Sequence, residues 1–93
     1  MRRSDLIKAL RRENPGLLAD EVARIVEVFF DELAQSLKAG ERVEMRGFGA
    51  FRAVAREPRI GRNPVTGEVV AIRGKRYPHF RPAKALRDRV RLG

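Results

Sequence analysis

Apolar and polar residues alternate with a helical period through the first part of the chain. Between about Ala19 and Ala39 the apolar positions recur every three or four residues, and charged side chains fill the opposite face. These apolar positions are Val22, Ile25, Val26, Phe29, Phe30, Leu33 and Leu37. The period predicts one long amphipathic helix that ends before Gly40, a residue suited to the positive φ of a helix C-terminus. A shorter helix is predicted before it, from Ser4 as N-cap to about Arg12–Asn14, where Asn14-Pro15-Gly16 breaks the chain.

After the long helix the period changes to two, which predicts strands. Val43 and Met45 share one face, and the opposite face carries Arg42, Glu44 and Arg46. Gly47-Phe48-Gly49 predicts a tight corner, with a second strand beginning at about residues 50–51.

Proline and glycine divide the remaining strand region. Pro58 cannot donate to a hydrogen-bond ladder, so its strand must lie at an edge, as both strands of a two-stranded ribbon do. The elements predicted next are a returning strand at about 68–73, a bend at Gly74, a short extended piece reaching Phe80, and a last helix from Ala83 to about Arg91 with Pro82 at its first position. The predicted order is α-α-β-β-β-α, an α+β fold.

Length and composition indicate one small domain. A chain of 93 residues buries only about two-thirds of its unfolded surface, yet 43% of these residues are hydrophobic. This imbalance predicts that the core is completed in an oligomer. Within the single domain, 1–93, we expect a helical body at 1–40, a sheet and projecting arm at 41–80 with its tip at 61–67, and a C-terminal helix at 82–91.

The absence of cysteine predicts neither disulfides nor thiolate metal sites, which suits a reducing cytosol. No apolar run approaches the roughly 18 residues that a membrane span requires, and the N-terminus lacks a signal-peptide core. We therefore expect a cytoplasmic protein that does not enter a membrane.

The net charge of +9 is concentrated in one part of the chain. Residues 1–40 carry seven Lys/Arg and seven Asp/Glu, whereas residues 41–93 carry fourteen Lys/Arg and five Asp/Glu. A neutral region joined to a strongly basic one is typical of a scaffold that presents a polyanion-binding surface. The alternative is a charge-solvated surface, but such surfaces usually intersperse both signs.

One turn sequence stands between two basic, strand-like segments: Gly61-Arg62-Asn63-Pro64-Val65-Thr66-Gly67. Proline presets φ, asparagine tolerates the left-handed region and glycine supplies positive φ, so the sequence predicts a hairpin tip. A basic ribbon with a rigid apolar tip suits entry into a DNA groove and insertion at a base step. The alternative interpretation is an ordinary surface hairpin.

An RNA-recognition signature begins at Arg46-Gly47-Phe48-Gly49 but does not continue. Ala50 and Ala53 stand where that signature requires aromatic residues, and Phe51 stands where it requires valine. That fold also begins with a strand, whereas two helices come first here. Phe48 and Phe51 are therefore interpreted as core residues.

Signatures of catalysis and of metal binding are missing. Gly74-Lys75 is followed by Arg76 instead of Ser or Thr, so no phosphate-binding P-loop is predicted. His79 is the only histidine and has no cysteine or carboxylate cluster to share a metal, so we interpret it as structural or as facing a phosphate. No nucleophile, base and orienting group can be assembled, and neither an enzyme nor a cofactor is predicted.

Glu44 lies between Arg42 and Arg46 on one strand face, and two interpretations stay open. The three side chains can form a solvated salt-bridge ladder, worth only about 0–1 kcal/mol. Alternatively, Glu44 orients Arg46 toward base edges in the minor groove.

Four segments together resemble the HU and integration host factor family of bacterial nucleoid proteins, which bend DNA. They are Ser4-Asp5-Leu6-Ile7, the segment from Gly40 to Phe51, Pro58-Arg59 with the hairpin tip, and the segment from Pro78 to Arg89. The resemblance extends over essentially the whole chain, and Glu44 with Arg46, Pro-His-Phe and Leu-Arg-Asp-Arg are most similar to the beta-subunit branch of integration host factor. Ala83 departs from the family, which commonly has glycine there, and its methyl group leaves less room for a phosphate.

The resemblance implies an intertwined dimer whose body is built from the helices of both chains. Each chain would have a three-stranded antiparallel sheet extended into a long β-ribbon arm that enters the minor groove, where Pro64 would intercalate at a base step. The residues implied to line the arm are Arg56, Arg59, Arg62, Asn63, Val65 and Thr66, and those implied to read the minor groove are Glu44 and Arg46. Phosphates would be held by Arg3, Arg42, Lys75, Arg76, Arg81, Lys84 and Arg87.

The partners implied by the resemblance are double-stranded DNA and a second subunit in the bacterial nucleoid. The second subunit would be the related alpha subunit, and the complex would act in recombination, replication, and transcription and translation control. An HU-like homodimer that binds with little sequence preference is the alternative within the family. A structural RNA-binding module with a basic hairpin is the alternative from another class.

Overall fold

The computed structural model describes residues 1–93, which fold into two compact units, residues 1–35 and 36–93. Three helices and five strands follow the order α-α-β-β-β-β-β-α. There are five strands because the second and third predicted strands are each interrupted once, at 57–58 and at 73–74. The predicted α+β class, with a three-stranded antiparallel sheet and a two-stranded arm, is confirmed.

The first helix, α1 (Arg3–Glu13), begins two residues earlier than the sequence predicts. Arg2 is its N-cap, and the Asp5 carboxylate accepts a hydrogen bond from the Arg2 backbone N–H at 2.8 Å. The prediction of Ser4 as N-cap is wrong: Ser4 lies inside the first turn, because the acidic side chain one position later satisfies the free donor at the helix start.

The long helix α2 (Ala19–Lys38) matches its prediction within one residue. The Glu21 side chain accepts from the Leu18 backbone N–H at 2.9 Å, which satisfies a donor at the helix start. Only Val22 and Val26 are buried, with 2% and 3% of their surface exposed. The rest of the apolar stripe is only partly covered within one chain.

Gly40 ends α2, as predicted, with φ of +84°. Its N–H donates to the carbonyl of Leu37 at 3.1 Å, and the N–H of Glu41 donates to the carbonyl of Ser36 at 2.9 Å. These two bonds form a Schellman motif, which satisfies carbonyls that have no partner within the helix.

Five strands and a last helix follow: β1 (Val43–Met45), β2 (Gly49–Arg56), β3 (Arg59–Arg62), β4 (Val69–Ile72), β5 (Lys75–Pro82) and α3 (Lys84–Leu92). β1, β2 and β5 form one antiparallel sheet in the order β1-β2-β5, and β3 pairs with β4 in a separate two-stranded ribbon. β5 is longer than the short extended piece predicted, because all eight of its residues pair with β2.

The corner between β1 and β2 is built around Gly47, whose φ is +80°. Gly49 follows it and is buried, and a Cβ there would lie 2.5 Å from the Phe80 ring and 2.6 Å from the Arg81 carbonyl oxygen. The Phe80 ring centre lies 5.4 Å from that of Phe48 and 4.7 Å from that of Phe51. These rings pack together, but within one chain Phe48 remains 47% exposed and Phe51 and Phe80 are only half-buried.

The ribbon of β3 and β4, which we call the arm, joins the sheet across a break in both strands. β2 ends at Arg56, opposite Lys75, and the ladder resumes where Arg59 lies opposite Ile72. Pro58 therefore lies between two strands and not within an edge strand, which suits a residue without an N–H. Gly74 stands in the facing break, where a Cβ would come within 3.2 Å of the Pro58 ring.

The last helix begins at Lys84, with Ala83 as its N-cap. Pro82 was predicted at the first helical position, and this prediction is wrong: Pro82 is the last residue of β5 and lies opposite Gly49. An edge strand accepts proline because an N–H on its open side is not needed by the ladder. The Ala83 N–H instead donates to the Phe48 carbonyl at 2.9 Å, which holds the helix start against the corner.

Candidate nucleic-acid interface

The strand register gives the sheet two chemically different faces. One face, the core face, carries Phe51 and Phe80, which lie opposite each other on β2 and β5. The other face carries most of the charge, and we call it the basic face; its polar side chains are Glu44, Arg52, Arg56, Lys75, Tyr77, His79 and Arg81. Alternation along the strands therefore brings four of the predicted DNA-binding residues onto one surface: Glu44, Arg56, Lys75 and Arg81.

Arg52 is a member of the basic face to which the sequence pattern assigned no role. It lies opposite His79 on β5, and both residues are exposed. The sequence signal that could have identified Arg52 is its spacing of four residues from Arg56, since positions separated by an even number along a strand share a face.

The Arg56 guanidinium lies 5.3 Å from the Tyr77 ring centre, so this arginine is held at the base of the arm by a cation–π contact.

A shallow groove of about 290 Å³ lies where the corner meets the start of α3. Arg42, Arg46 and Arg81 line it together with Glu44. The Glu44 carboxylate lies 3.8 Å from the Arg42 guanidinium, with both side chains mostly exposed, so the ion pair involves Arg42 and not Arg46. This is the geometry of a solvated pair, and the orientation of Arg46 by Glu44 stays a prediction.

The arm tip is held by hydrogen bonds on both sides of Pro64. The Asn63 side-chain oxygen accepts from the Val65 N–H at 2.8 Å and from the Thr66 N–H at 3.4 Å. The Asn63 N–H donates to the Glu68 carbonyl at 2.8 Å, and the Gly67 N–H donates to the Asn63 carbonyl at 2.7 Å. None of these bonds involves the ring of Pro64, which is exposed at the tip.

The strands of the arm present arginine and apolar side chains together. Arg59 lies opposite Ile72 and Arg62 lies opposite Val69, so the two arginines point to opposite faces of the ribbon. Ile60 shares a face with Arg62 and is 78% exposed. An arm with this pattern can contact phosphates on either side of a groove while its apolar residues meet the sugars between them.

Lys84 and Arg87 lie on the first turns of α3, where their surroundings differ. The Lys84 ammonium contacts the Asp88 carboxylate at 2.7 Å, and Arg91 contacts the same carboxylate at 3.2 Å. Arg87 is exposed and forms no ion pair. The N-cap Ala83 supplies no side-chain acceptor, and the first turn holds no acidic residue, so the backbone N–H groups there favour an anion.

Two of the predicted phosphate-binding residues are engaged elsewhere. The guanidinium of Arg3 lies 5.8 Å from the centre of the Phe30 ring, a contact within residues 1–35. Arg76 donates from Nη2 to the carbonyl oxygens of Leu37 at 3.1 Å and of Lys38 at 3.3 Å. The guanidinium of Arg76 thus lies at the end of α2.

The structure brings together no group of three or more His, Cys, Asp or Glu residues that could hold a metal ion. None of its helices combines the length and the apolar character needed to cross a membrane.

Comparison with known proteins gives one consistent family. Residues 1–91 match the family model described as bacterial DNA-binding protein. The integration host factor subunit beta of Vibrio parahaemolyticus is 48% identical over 93 residues, which cover all of both chains. That of Vibrio cholerae is 49% identical over 92 residues, covering 99% of this chain and all of the relative. That of Stenotrophomonas maltophilia is 50% identical over 90 residues, covering 97% of this chain and 89% of the relative.

Solved structures agree with this family. The HU protein in an Anabaena HU–DNA cocrystal structure is similar with a TM-score of 0.85 and 28% identity over 97% of each chain. HU from Thermotoga maritima shares the fold with a TM-score of 0.65 and 24% identity, covering 97% of this chain and 98% of that one.

Proposed function

The chain belongs to the bacterial DNA-binding protein family, which includes HU and integration host factor, and we propose that it bends double-stranded DNA through the minor groove as an architectural protein of the bacterial nucleoid. The observation that carries the proposal is the arm tip, where Pro64 is exposed on a turn whose hydrogen bonds do not involve its ring. Its ring is rigid and has no N–H, so it can fill an opened base step without burying an unpaired donor.

Bending requires that the deformed duplex gain contacts that offset its deformation. Opening a base step costs about a few kcal/mol. The basic face and the arginines of the arm supply the attraction to phosphates, and they lie in the same compact unit, residues 36–93. We assign phosphate contacts to Lys75, Arg81 and Arg52 on the basic face, and minor-groove contacts to Arg59 and Arg62 on the arm.

The apolar surface of the single chain supports dimerisation. Phe29 and Phe48 are 48% and 47% exposed, and Ile25 is 55% exposed. Only two apolar side chains are buried, which is far too few for a stable core. A second subunit that covers these residues would complete the core, and we expect the shared core to include Phe29, Phe30, Phe48 and Phe51.

The nature of the second subunit follows from the same relatives. Identity of 46–50% with integration host factor beta subunits supports the role of a beta subunit. The partner is then the related alpha subunit, and the complex acts at preferred sites in recombination, replication, and transcription and translation control. A homodimer that bends DNA with little sequence preference is the second candidate, favoured by the structural similarity to HU. We propose no enzymatic activity for either assembly.

The test is a bending measurement on a short DNA duplex that carries a dye at each end. Saturating protein should bring the ends together and raise energy transfer, and an A-form RNA duplex of equal length should show no rise, because its minor groove is wide and shallow. Equal rises with both duplexes would favour the structural RNA-binding module, and no rise with DNA would refute bending. Identification of the protein that co-purifies from native cells distinguishes the heterodimer from the homodimer.

A further inference from the structure

Arg76 was predicted to bind phosphate, but its guanidinium contacts the end of α2 instead. Its neighbours in sequence alternate on β5, so that Lys75 and Tyr77 lie on the basic face while Arg76 lies on the core face with Phe80. Across the ladder Arg76 lies opposite Ala55, and no other residue paired on the core face is charged. Its guanidinium is thus directed away from the surface that collects the other cations of the sheet.

The contacts of Arg76 explain why a cation occupies the core face. Nη2 donates to the carbonyl oxygens of Leu37 and Lys38, at 3.1 and 3.3 Å, across 39 and 38 positions of sequence. A helix ends with carbonyls that have no partner in the helix and with a partial negative charge, and a guanidinium satisfies both. The Schellman motif already serves Ser36 and Leu37 through backbone N–H groups, and Arg76 extends the same cap to Lys38.

A phosphate is disfavoured at this position. The carbonyl dipoles that attract the guanidinium of Arg76 repel an anion, and Nη2 already donates to two carbonyl oxygens. The N-terminus of α3, which presents N–H groups, has the opposite polarity.

We infer that Arg76 is a positioning residue for DNA bending, which ties the base of the arm to the end of α2 and does not bind phosphate. Arg76 is the second residue of β5, just after the break at 73–74 where the arm meets the sheet. When the tip inserts at a base step, the stiff duplex pushes back on the arm. This force passes through the junction where the arm meets the sheet. A guanidinium that bridges β5 and the end of α2 limits the rotation of the arm under this force. The duplex therefore bends further than it would against an arm that could rotate. This inference rests on the proposed function.

The test compares Arg76→Met with Lys75→Met in the dimer as purified. Each substitution removes one charge, and the methionine replaces the aliphatic stem of the original side chain with another unbranched chain. The two positions are adjacent on one strand. For each protein, affinity for one duplex is measured over a range of salt, and energy transfer is measured at saturation. Loss of one phosphate contact lowers the salt slope by about 0.9 per substituted chain.

Arg76→Met should keep the salt slope of the unsubstituted protein and lower the energy transfer at saturation. Lys75→Met should lower the slope by about 0.9, because it removes one phosphate contact. A slope for Arg76→Met that falls as far as that of Lys75→Met would overturn the inference, and so would a variant unchanged in both measurements. If Arg76→Met does not fold, Arg76→Gln is measured, since its amide still donates to a carbonyl: an unchanged slope supports the inference and a slope lower by about 0.9 overturns it. If the unsubstituted protein raises no transfer, the proposed function fails, and the salt slopes still report whether Arg76 contacts phosphate.

Discussion

Replacement of Pro64 by alanine tests the mechanism at the point where it acts. The turn should survive, because the bonds from Asn63 to Val65, Glu68 and Gly67 do not involve the proline ring. The arginines of the arm and the basic face should continue to attract the duplex. What the variant loses is the rigid apolar group that fills the opened base step.

The size of the effect follows from the atoms removed. Proline to alanine deletes two ring carbons, and each buried methylene is worth about 0.8 kcal/mol, which gives about 1.6 kcal/mol per tip. Affinity for a site that is kinked easily should fall by about 15-fold if one arm of the dimer carries the change. If the chain pairs with itself, both tips change and the loss should approach about 200-fold. Affinity for a stiff, straight duplex depends mainly on phosphate contacts and should change little.

The assay is energy transfer between dyes at the two DNA ends, with affinity measured on one duplex that has a flexible pyrimidine–purine step and one that lacks it. Val65→Ala is the matched control, because it also removes two apolar carbons from the tip, and Val65 is 90% exposed. The control should bend DNA fully at saturation. Unchanged transfer by Pro64→Ala at saturation would show that the proline is only a turn residue and would refute the wedge.

Three further predictions concern the sheet corner, the basic groove and the dimer. Gly49→Ala should destabilise the fold by about 1–3 kcal/mol, since its methyl group collides with Phe80. Chemical denaturation measures this, with Gly16→Ala, where nothing lies within 4 Å, as control; equal stabilities would contradict the packing. Glu44→Ala should lower the ratio of specific to non-specific affinity, because Glu44 lies in one groove with Arg46 and is expected to orient it toward base edges. An unchanged ratio would leave Glu44 as the solvated ion-pair partner of Arg42. Sedimentation should show a dimer at micromolar concentration, and a stable folded monomer would contradict the incomplete core.

Local patterns in the sequence determined most of the architecture. The 3.6-residue period and Gly40 set the extent of α2 to within one residue, because burial on one face and positive φ at its end are properties of the local chain. Asn63, Pro64 and Gly67 likewise determined the arm tip, since side-chain acceptors and permitted φ act over a few residues. The uneven distribution of charge identified residues 41–93 as the basic part of the chain, because this property depends only on the number of charged residues in each part.

The tertiary structure decided which of the basic side chains share a surface. Arg76 and Lys75 are adjacent and chemically alike, and any strand places neighbours on opposite faces. Only the pairing of β5 with β2 decided that Arg76 shares its face with Phe51 and Phe80. The partners of Arg76 lie 38 and 39 residues away, beyond the reach of any local pattern. Arg52 joined the basic face for the same reason, because pairing with His79 depends on which strands become neighbours. Pairing across a sheet is a long-range interaction, and it decided on which face of the sheet each charged side chain lies. Composition had given only the number of these charges.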